Sequence, residues 1–124
     1  NAALGISQLN KFDHLMKLKK ILHYKYLENF KNINNVYFLS SRYHPLFNNW
    51  LNSIVLKDSE AEEKDYIISE LNNRGYECRP VWELLSSLNH FTHCPSMKLS
   101  NATKIHSTVI NIPSSAHLIK LNEH

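Results

Sequence analysis

A long amphipathic stretch near the start of the chain constrains the fold more than any other feature of the sequence. Its apolar side chains recur at intervals of three, four or six residues, and they are Leu9, Phe12, Met16, Leu22, Tyr26 and Phe30. This spacing predicts one long helix, or two helices in line, with one stripe facing a core. The lysines between the apolar positions, Lys11, Lys17, Lys20 and Lys25, are predicted to face water.

Four short β-prone runs follow the amphipathic stretch. They predict strands at residues 36–39, 49–56, 76–79 and 109–112. Helical segments are predicted between and after them, and they comprise a helix that ends at Gly75, a short helix at residues 81–88, a turn at residues 101–106 and a last helix from Ser115 through residue 121. Residues 89–101 are predicted to be irregular. This order predicts an α+β fold, with a small, mostly antiparallel sheet of about four strands covered by helices.

Size and charge exclude several classes of protein. A chain of 124 residues with 43% hydrophobic residues suits a single domain over residues 1–124. The formal net charge of +3 is too small to indicate nucleic acid as a partner. No run reaches the roughly 18 apolar residues of a membrane span, and no secretion signal is present. We therefore expect a cytoplasmic protein without nucleic acid or membrane partners, and free thiols at Cys78 and Cys94.

Known motifs for catalysis and metal binding are absent or weak. The only glycines are Gly5 and Gly75, so the chain lacks the glycine-rich loops of dinucleotide and P-loop sites. No G-x-S-x-G nucleophile motif occurs either. His90, His93 and Cys94 are possible zinc ligands, but a structural zinc site needs four ligands and no second pair is present. Incidental histidines in a loop are the favoured interpretation, and we assign no catalytic, cofactor-binding or metal-binding residue.

Polar and aromatic residues beside the predicted strands are the better candidates for a binding site. Asn49 and Trp50 precede one β-prone run, while Arg79 and Trp82 flank Pro80. An arginine offers a charge-assisted donor to a phosphate or carboxylate, and a nearby tryptophan ring can stack on a base or sugar. The alternative is structural: both tryptophans would be core residues, and Arg79 would pair with a surface glutamate.

Taken together, four segments resemble the C-terminal part of the sugar aminotransferases of the DegT/DnrJ/EryC1/StrS family. They read N-A-A-L-G-I-S-Q-L at residues 1–9, N-W-L-N at residues 49–52, R-P-V-W-E-L-L at residues 79–85 and N-I-P-S-S at residues 111–115. The first is similar to the segment that leads into the family's small domain. The other three are similar to a subgroup that aminates UDP-linked 4-keto-6-deoxy N-acetyl sugars for bacillosamine or legionaminic acid. The likeness covers about residues 1–115.

The resemblance implies a C-terminal small domain of a fold-type I aminotransferase. Residues 1–35 would be a helical connector from a large domain, and residues 36–124 the small α+β domain. The intact enzyme would use pyridoxal phosphate, bound as a Schiff base by a lysine of the large domain, to move an amino group from an amino acid such as glutamate to a sugar nucleotide. The resemblance further implies a homodimer and substrate contacts from Asn49, Trp50, Arg79 and Trp82.

None of the lysines in this chain lies in a sequence that resembles the family's Schiff-base segment. We therefore expect no cofactor bound to this chain alone and no transamination by it. We also expect apolar side chains to be exposed around Leu4, Ile6 and Leu9. The alternative function is a stand-alone α+β binding or interaction module without catalysis, and a metal-binding regulator is a weaker third hypothesis.

Overall fold

The computed structural model describes residues 2–40 and 47–122, without the side chains of residues 58–60 and 120–122. The helices are α1 (Ala2–Leu9), α2 (Phe12–Phe30), α3 (Lys64–Asn73) and α4 (Ser100–Thr108). The strands are β1 (Val36–Leu39), β2 (Asn52–Leu56), β3 (Arg79–Pro80) and β4 (Val109–Ile112). Segments of 3-10 helix cover Asp58–Glu63, Leu85–Ser87 and Ala116–Asn122.

The strands form one antiparallel sheet in the order β1-β2-β4-β3. Phe38 of β1 lies opposite Ile54 of β2, and Ile54 lies opposite Ile110 of β4. Pro80 of the edge strand β3 completes this row opposite Ile110. The predicted α+β fold with a small antiparallel sheet is confirmed.

The core lies on one face of the sheet, under α2 and α3. Its buried residues are Ile54, Leu56, Ile68, Cys78, Ile110 and Ile112. Ile110 is fully buried because it sits in the central strand pair and beneath both helices. Tyr26 and Phe30 of α2 pack against the same cluster. Each such aliphatic side chain stabilises the fold by roughly 1.5–3 kcal/mol through the apolar area it removes from water.

The amphipathic stretch forms two helices in line, α1 and α2, separated at residues 10 and 11. The predicted apolar stripe is correct for Leu22 and Tyr26, but it is wrong for Leu9 and Phe12, which are 71% and 54% exposed. No residue of α1 is buried, and the buried positions of α2 begin at Leu18. The apolar stripe therefore meets the core only from Leu18 onward. The expected exposure near the start of the chain is observed, since Leu4 and Ile6 are also exposed.

Strand β2 begins three residues later than the sequence pattern predicts. The Trp50 amide donates to Asn48 Oδ1 at 3.0 Å, which closes a turn typical of asparagine. Asn49 has a φ of 49°, in the left-handed region that asparagine tolerates better than most residues. A chain in these conformations cannot pair with a neighbouring strand, so the ladder starts at Asn52.

Strand β3 is two residues long and lies later than the predicted strand at residues 76–79. Helix α3 ends at Asn73, and the predicted stop at Gly75 is observed just beyond it: Gly75 has a φ of 85°, and the Tyr76 amide donates to the Leu71 carbonyl at 2.9 Å. The Asn72 side chain then binds both the amide and the carbonyl of Cys78. These bonds occupy the main chain just before Arg79. Pro80 is accepted in the strand because β3 is at the edge of the sheet.

Two predicted helices are shorter or tighter than expected. Residues 81–88 contain a single 3-10 turn, Leu85–Ser87, because Leu84 and Leu88 on either side are extended. The segment after Ser115 is a 3-10 helix, and the Leu118 amide donates to the Ser115 carbonyl at 3.2 Å. Helix α4 is longer than the predicted turn. No helix in the described ranges has the length and apolar character needed to cross a bilayer.

Candidate functional site

A groove of about 1120 Å³ runs between α2 and the strand ends on the β3 side of the sheet. Helix α2 contributes Lys19, Lys25 and Tyr26 to its lining. The opposite side is lined by Trp50, Arg79, Pro80 and Trp82, and the chain after β4 contributes Asn111, Ile112, Pro113, Ser114 and Ser115. Three of the four residues singled out in the sequence therefore line one groove.

Two tryptophans lie side by side at the groove. The ring centroids of Trp50 and Trp82 are 6.2 Å apart, with an angle of 47° between the ring planes. Trp50 is 61% exposed and Trp82 is 78% exposed. The interpretation of both as core residues is therefore wrong. A pair of exposed indoles offers an apolar surface that a flat ring of a ligand can contact.

Asn49 supports this surface from behind and does not line the groove. Its side chain is buried, and its left-handed backbone turns the chain so that Trp50 emerges on the groove side. Asn48 closes the same turn through the Trp50 amide. The contribution of Asn49 to the site is thus the shape of the chain.

Arg79 is exposed on the edge strand, directly opposite Asn111 of β4. Asn111 is itself fixed, because Ser53 Oγ donates to its Oδ1 at 2.7 Å and its Nδ2 donates to the Pro80 carbonyl at 3.3 Å. Within residues 2–40 and 47–122, the ion pairs formed do not include Arg79, so the predicted alternative of a glutamate partner is not observed there.

The segment that carries Trp82 is tied to α4. Glu83, the residue next to Trp82, places its Oε1 3.2 Å from His106 Nε2 of α4. Lys64, which is buried, donates to the His106 carbonyl at 2.8 Å. The Trp82 segment, which has little regular structure, therefore lies next to α4.

Lys19 is a groove residue that the sequence analysis missed. Its Nζ donates to the Trp50 carbonyl at 3.2 Å and to the Ser114 carbonyl at 2.8 Å. Burial lowers the pKa of this amine. The basic residues around it predicted only a solvated helix face, and nothing in the local sequence separates Lys19 from its neighbours. The one usable signal is its spacing of four and seven residues from His23 and Tyr26.

A buried polar network supports the groove from the core side. His23 is buried, and its Nδ1 lies 3.0 Å from Asn52 Oδ1 while its Nε2 lies 3.1 Å from Ser40 Oγ. Both ring nitrogens of His23 therefore lie within hydrogen-bonding distance of a polar side-chain atom. The main-chain amide of Asn52 donates to Ser114 Oγ at 2.7 Å, which links this network to the groove lining.

The histidine and cysteine cluster at residues 90–94 does not form a site in the described structure. His90, His93 and Cys94 are all exposed. In the described part of the chain, no three His, Cys, Asp or Glu side chains stand close enough to hold a metal ion. Cys78 and Cys94 are both free thiols, and burial raises the pKa of Cys78.

The comparison with protein families decides what this fold belongs to. The sequence pattern of the DegT/DnrJ/EryC1/StrS aminotransferase family matches residues 1–122. The chain belongs to this family. A search of curated proteins finds no match for it.

Solved structures of sugar aminotransferases share the fold. Helicobacter pylori PseC, an aminotransferase involved in the biosynthesis of pseudaminic acid, is 25% identical with a TM-score of 0.82, over 94% of this chain and 32% of its own. DesI, solved in the presence of its TDP-sugar product, is 18% identical with a TM-score of 0.83, over 97% and 34%. The sugar aminotransferase Spr1654 of Streptococcus pneumoniae, in its PLP form, is 20% identical with a TM-score of 0.80, over 92% and 30%. The chain thus spans about a third of each.

Membership of this aminotransferase family implies pyridoxal phosphate in the intact enzyme. The described groove residues do not by themselves fit that cofactor. The Lys19 amine is bound to two main-chain carbonyl oxygens, and Lys25 is exposed, whereas a Schiff-base lysine needs a buried, desolvated amine. Among the described lining residues, the carboxylate is that of Glu77. Glu77 is exposed, so it is poorly suited to pair with the pyridine nitrogen of the cofactor inside an active site. The groove residues therefore suit a ligand other than the cofactor.

Proposed function

We propose that this chain is the C-terminal small domain of a sugar-nucleotide aminotransferase and forms one wall of its substrate cleft. The observation that carries the proposal is the pair of exposed tryptophans beside the exposed Arg79 in one groove. Family membership and a fold shared with sugar aminotransferases support it. The reaction is amino transfer from an amino acid such as glutamate to a 4-keto-6-deoxy sugar nucleotide.

The groove chemistry matches the two ends of a nucleotide sugar. A diphosphate is a strong acceptor for a guanidinium, and Arg79 stands at the groove without an ion-pair partner in the described ranges. Flat rings bind by stacking, and Trp50 and Trp82 offer exposed ring faces. In this proposal Arg79 binds the anionic part of the substrate, the two tryptophans orient it, and Asn49 shapes the wall.

The sugar nucleotide proposed is UDP-linked and carries an N-acetyl group, as in the bacillosamine and legionaminic acid subgroup. The support comes from three segments of the sequence, at residues 49–52, 79–85 and 111–115. Two of them contain the groove tryptophans and Arg79. The third, N-I-P-S-S, includes Ser114, whose carbonyl accepts from Lys19 beside Trp50.

The cofactor and its Schiff-base lysine belong, in this proposal, to a large domain of the intact protein. The poor fit of pyridoxal phosphate to the described groove supports this assignment, as does the coverage of about a third of the related structures. Residues 1–35 would then connect the two domains, and this chain alone would be inactive. The intact protein is proposed to be a cytoplasmic homodimer.

The Arg79→Ala variant of the full-length protein tests the proposal. Loss of the guanidinium is expected to raise KM for the sugar nucleotide at least tenfold, in line with the roughly 1.5–3 kcal/mol of a hydrogen bond to a charged group. The absorbance of bound pyridoxal phosphate should stay unchanged, since Arg79 is not assigned to the cofactor.

Arg74→Ala is the matched control. Arg74 is an exposed arginine at the end of α3, and its partner is Glu70 at 3.5 Å. This variant should keep the wild-type KM. A wild-type KM in Arg79→Ala as well would contradict the assigned role.

A further inference from the structure

Three polar side chains on one face of α2 bind the chain segments that form the groove wall. Lys19, His23 and Tyr26 are spaced four and three residues apart, which places them on the same helix face. Lys19 binds the Trp50 and Ser114 carbonyls, His23 binds the Asn52 side chain, and the Tyr26 hydroxyl donates to the Pro113 carbonyl at 3.0 Å. The wall is therefore attached to α2 at several points.

The Ser114 segment joins these attachments into one unit. Ser114 Oγ accepts from the Asn52 amide and donates to the Ile112 carbonyl, both at 2.7 Å. The Ser114 carbonyl accepts from Lys19. Lys19 thus connects the segment before β2 with the segment after β4, at positions 31 and 95 residues away in the sequence.

Trp50 has few other restraints. Trp50 is 61% exposed, and its ring lies beside that of Trp82, which is 78% exposed. Its main-chain amide donates to Asn48 Oδ1, two residues earlier in the same turn. The hydrogen bond from the Lys19 ammonium links the Trp50 main chain to α2, a different element of the fold.

We propose that Lys19 is a positioning residue, which holds the Trp50 segment against the Ser114 segment and so keeps Trp50 beside Trp82 in the groove. Its effect on ligand affinity rests on the proposed function, while its effect on the geometry of the groove does not. The competing role is direct contact with an anionic ligand, because an ammonium has three donors and the two carbonyl oxygens occupy only two of them.

The test compares Lys19→Met with Lys20→Met in the full-length protein, with UDP as the probe ligand. Lys20 is the neighbouring exposed lysine of α2, so it controls for the lost charge. Each substitution is also made in a Trp50→Ala background, which forms a double-mutant cycle. Lys19→Arg restores a donor of similar length.

A positioning role predicts coupling between the two sites. Lys19→Met should weaken UDP binding about tenfold when Trp50 is present and less than about twofold in the Trp50→Ala background. Lys19→Arg should recover most of the affinity, and Lys20→Met should leave it unchanged. An equal loss in both backgrounds would overturn the proposal in favour of direct contact, and no loss in either would overturn it outright.

Hydrogen exchange supplies a readout that needs no ligand. In Lys19→Met, the amides of Trp50 and Asn52 should exchange several-fold faster, while the core amides of Ile54 and Ile110 keep their protection. Unchanged exchange at Trp50 and Asn52, or equal loosening of the core, would refute the positioning role. Failure of the wild-type protein to bind UDP would count against the proposed function alone, because the exchange result still decides the role of Lys19.

Discussion

The covered face of the sheet and the groove beside it use large apolar side chains in opposite ways. On the covered face, Ile54 and Ile110 are buried under two helices, and their burial stabilises the fold. In the groove, Trp50 and Trp82 stay largely in water, while the polar side chains of His23 and Asn52 are buried behind them. Because the two groove tryptophans stay largely exposed, their apolar area contributes little to the stability of the fold and is accessible to a ligand.

The largest effect is expected from Ile110→Ala on the covered face. Removing this fully buried side chain leaves a cavity between β4 and the helices, and it should lower the free energy of unfolding by about 2–5 kcal/mol. Hydrogen exchange of the β2 and β4 amides in the full-length protein measures the loss. Ile105→Ala is the control, because Ile105 of α4 is more than half exposed. Similar losses for the two variants would break the comparison.

An intermediate effect is expected from Trp82→Ala in the groove. This substitution should weaken ligand binding and leave the stability of the fold almost unchanged. Because Trp82 is 78% exposed, the unfolding free energy should change by only about 0.5 kcal/mol. Affinity for the sugar nucleotide should fall about tenfold, from the loss of a stacking surface. Tyr66→Ala, an exposed aromatic of α3 outside the groove, should change neither quantity. A large loss of stability in Trp82→Ala would show that the ring belongs to the core.

The smallest expected effect is on the pH dependence of stability, and it comes from two groups of the core, Cys78 and Tyr26. Burial raises the pKa of the Cys78 thiol above its usual 9.0, and burial also raises the pKa of Tyr26 above 10.0. When the pKa of a group is higher in the folded state than in the unfolded state, its contribution to the free energy of unfolding is complete below the unfolded-state pKa. This contribution is lost as the pH rises through the folded-state pKa. The urea midpoint of the full-length protein should therefore fall as the pH rises above 9.

Cys78→Ala should reduce this alkaline loss of stability, because it removes one of the two groups whose pKa is raised in the folded state. Cys94→Ala is the matched control, since that thiol is exposed and should leave the pH dependence at the wild-type slope. Identical slopes in all three proteins would show that the Cys78 thiol does not titrate differently in the folded state.

Local sequence patterns predicted some elements closely and misplaced others for a definable reason. Strands β1 and β4 begin and end where the β-prone runs do. Strands β2 and β3 start late because Asn48 and Asn72 bind nearby main-chain groups. Side-chain to main-chain bonds of this kind depend on rotamers that propensity does not encode.

The candidate site was predictable in its aromatic and cationic residues only. Trp50, Arg79 and Trp82 stand out in the sequence, and the structure brings them to one groove. Whether they contact substrate stays a prediction, and so does the role of Asn49, which lies behind the groove. Lys19 could not be singled out, because its two carbonyl acceptors come from segments far away in the sequence.

The class of fold, the family and the termination of α3 just before Gly75 can be read from the amino-acid sequence, since they follow from local periodicity, short motifs and one left-handed glycine. Only the tertiary structure decided which apolar residues are buried and which stay exposed. It left Leu9, Phe12 and both tryptophans in water, and it turned Lys19 from a solvated helix face into a link between two loops. The physical reason is that burial depends on which elements pack together, and that packing joins residues far apart in the chain.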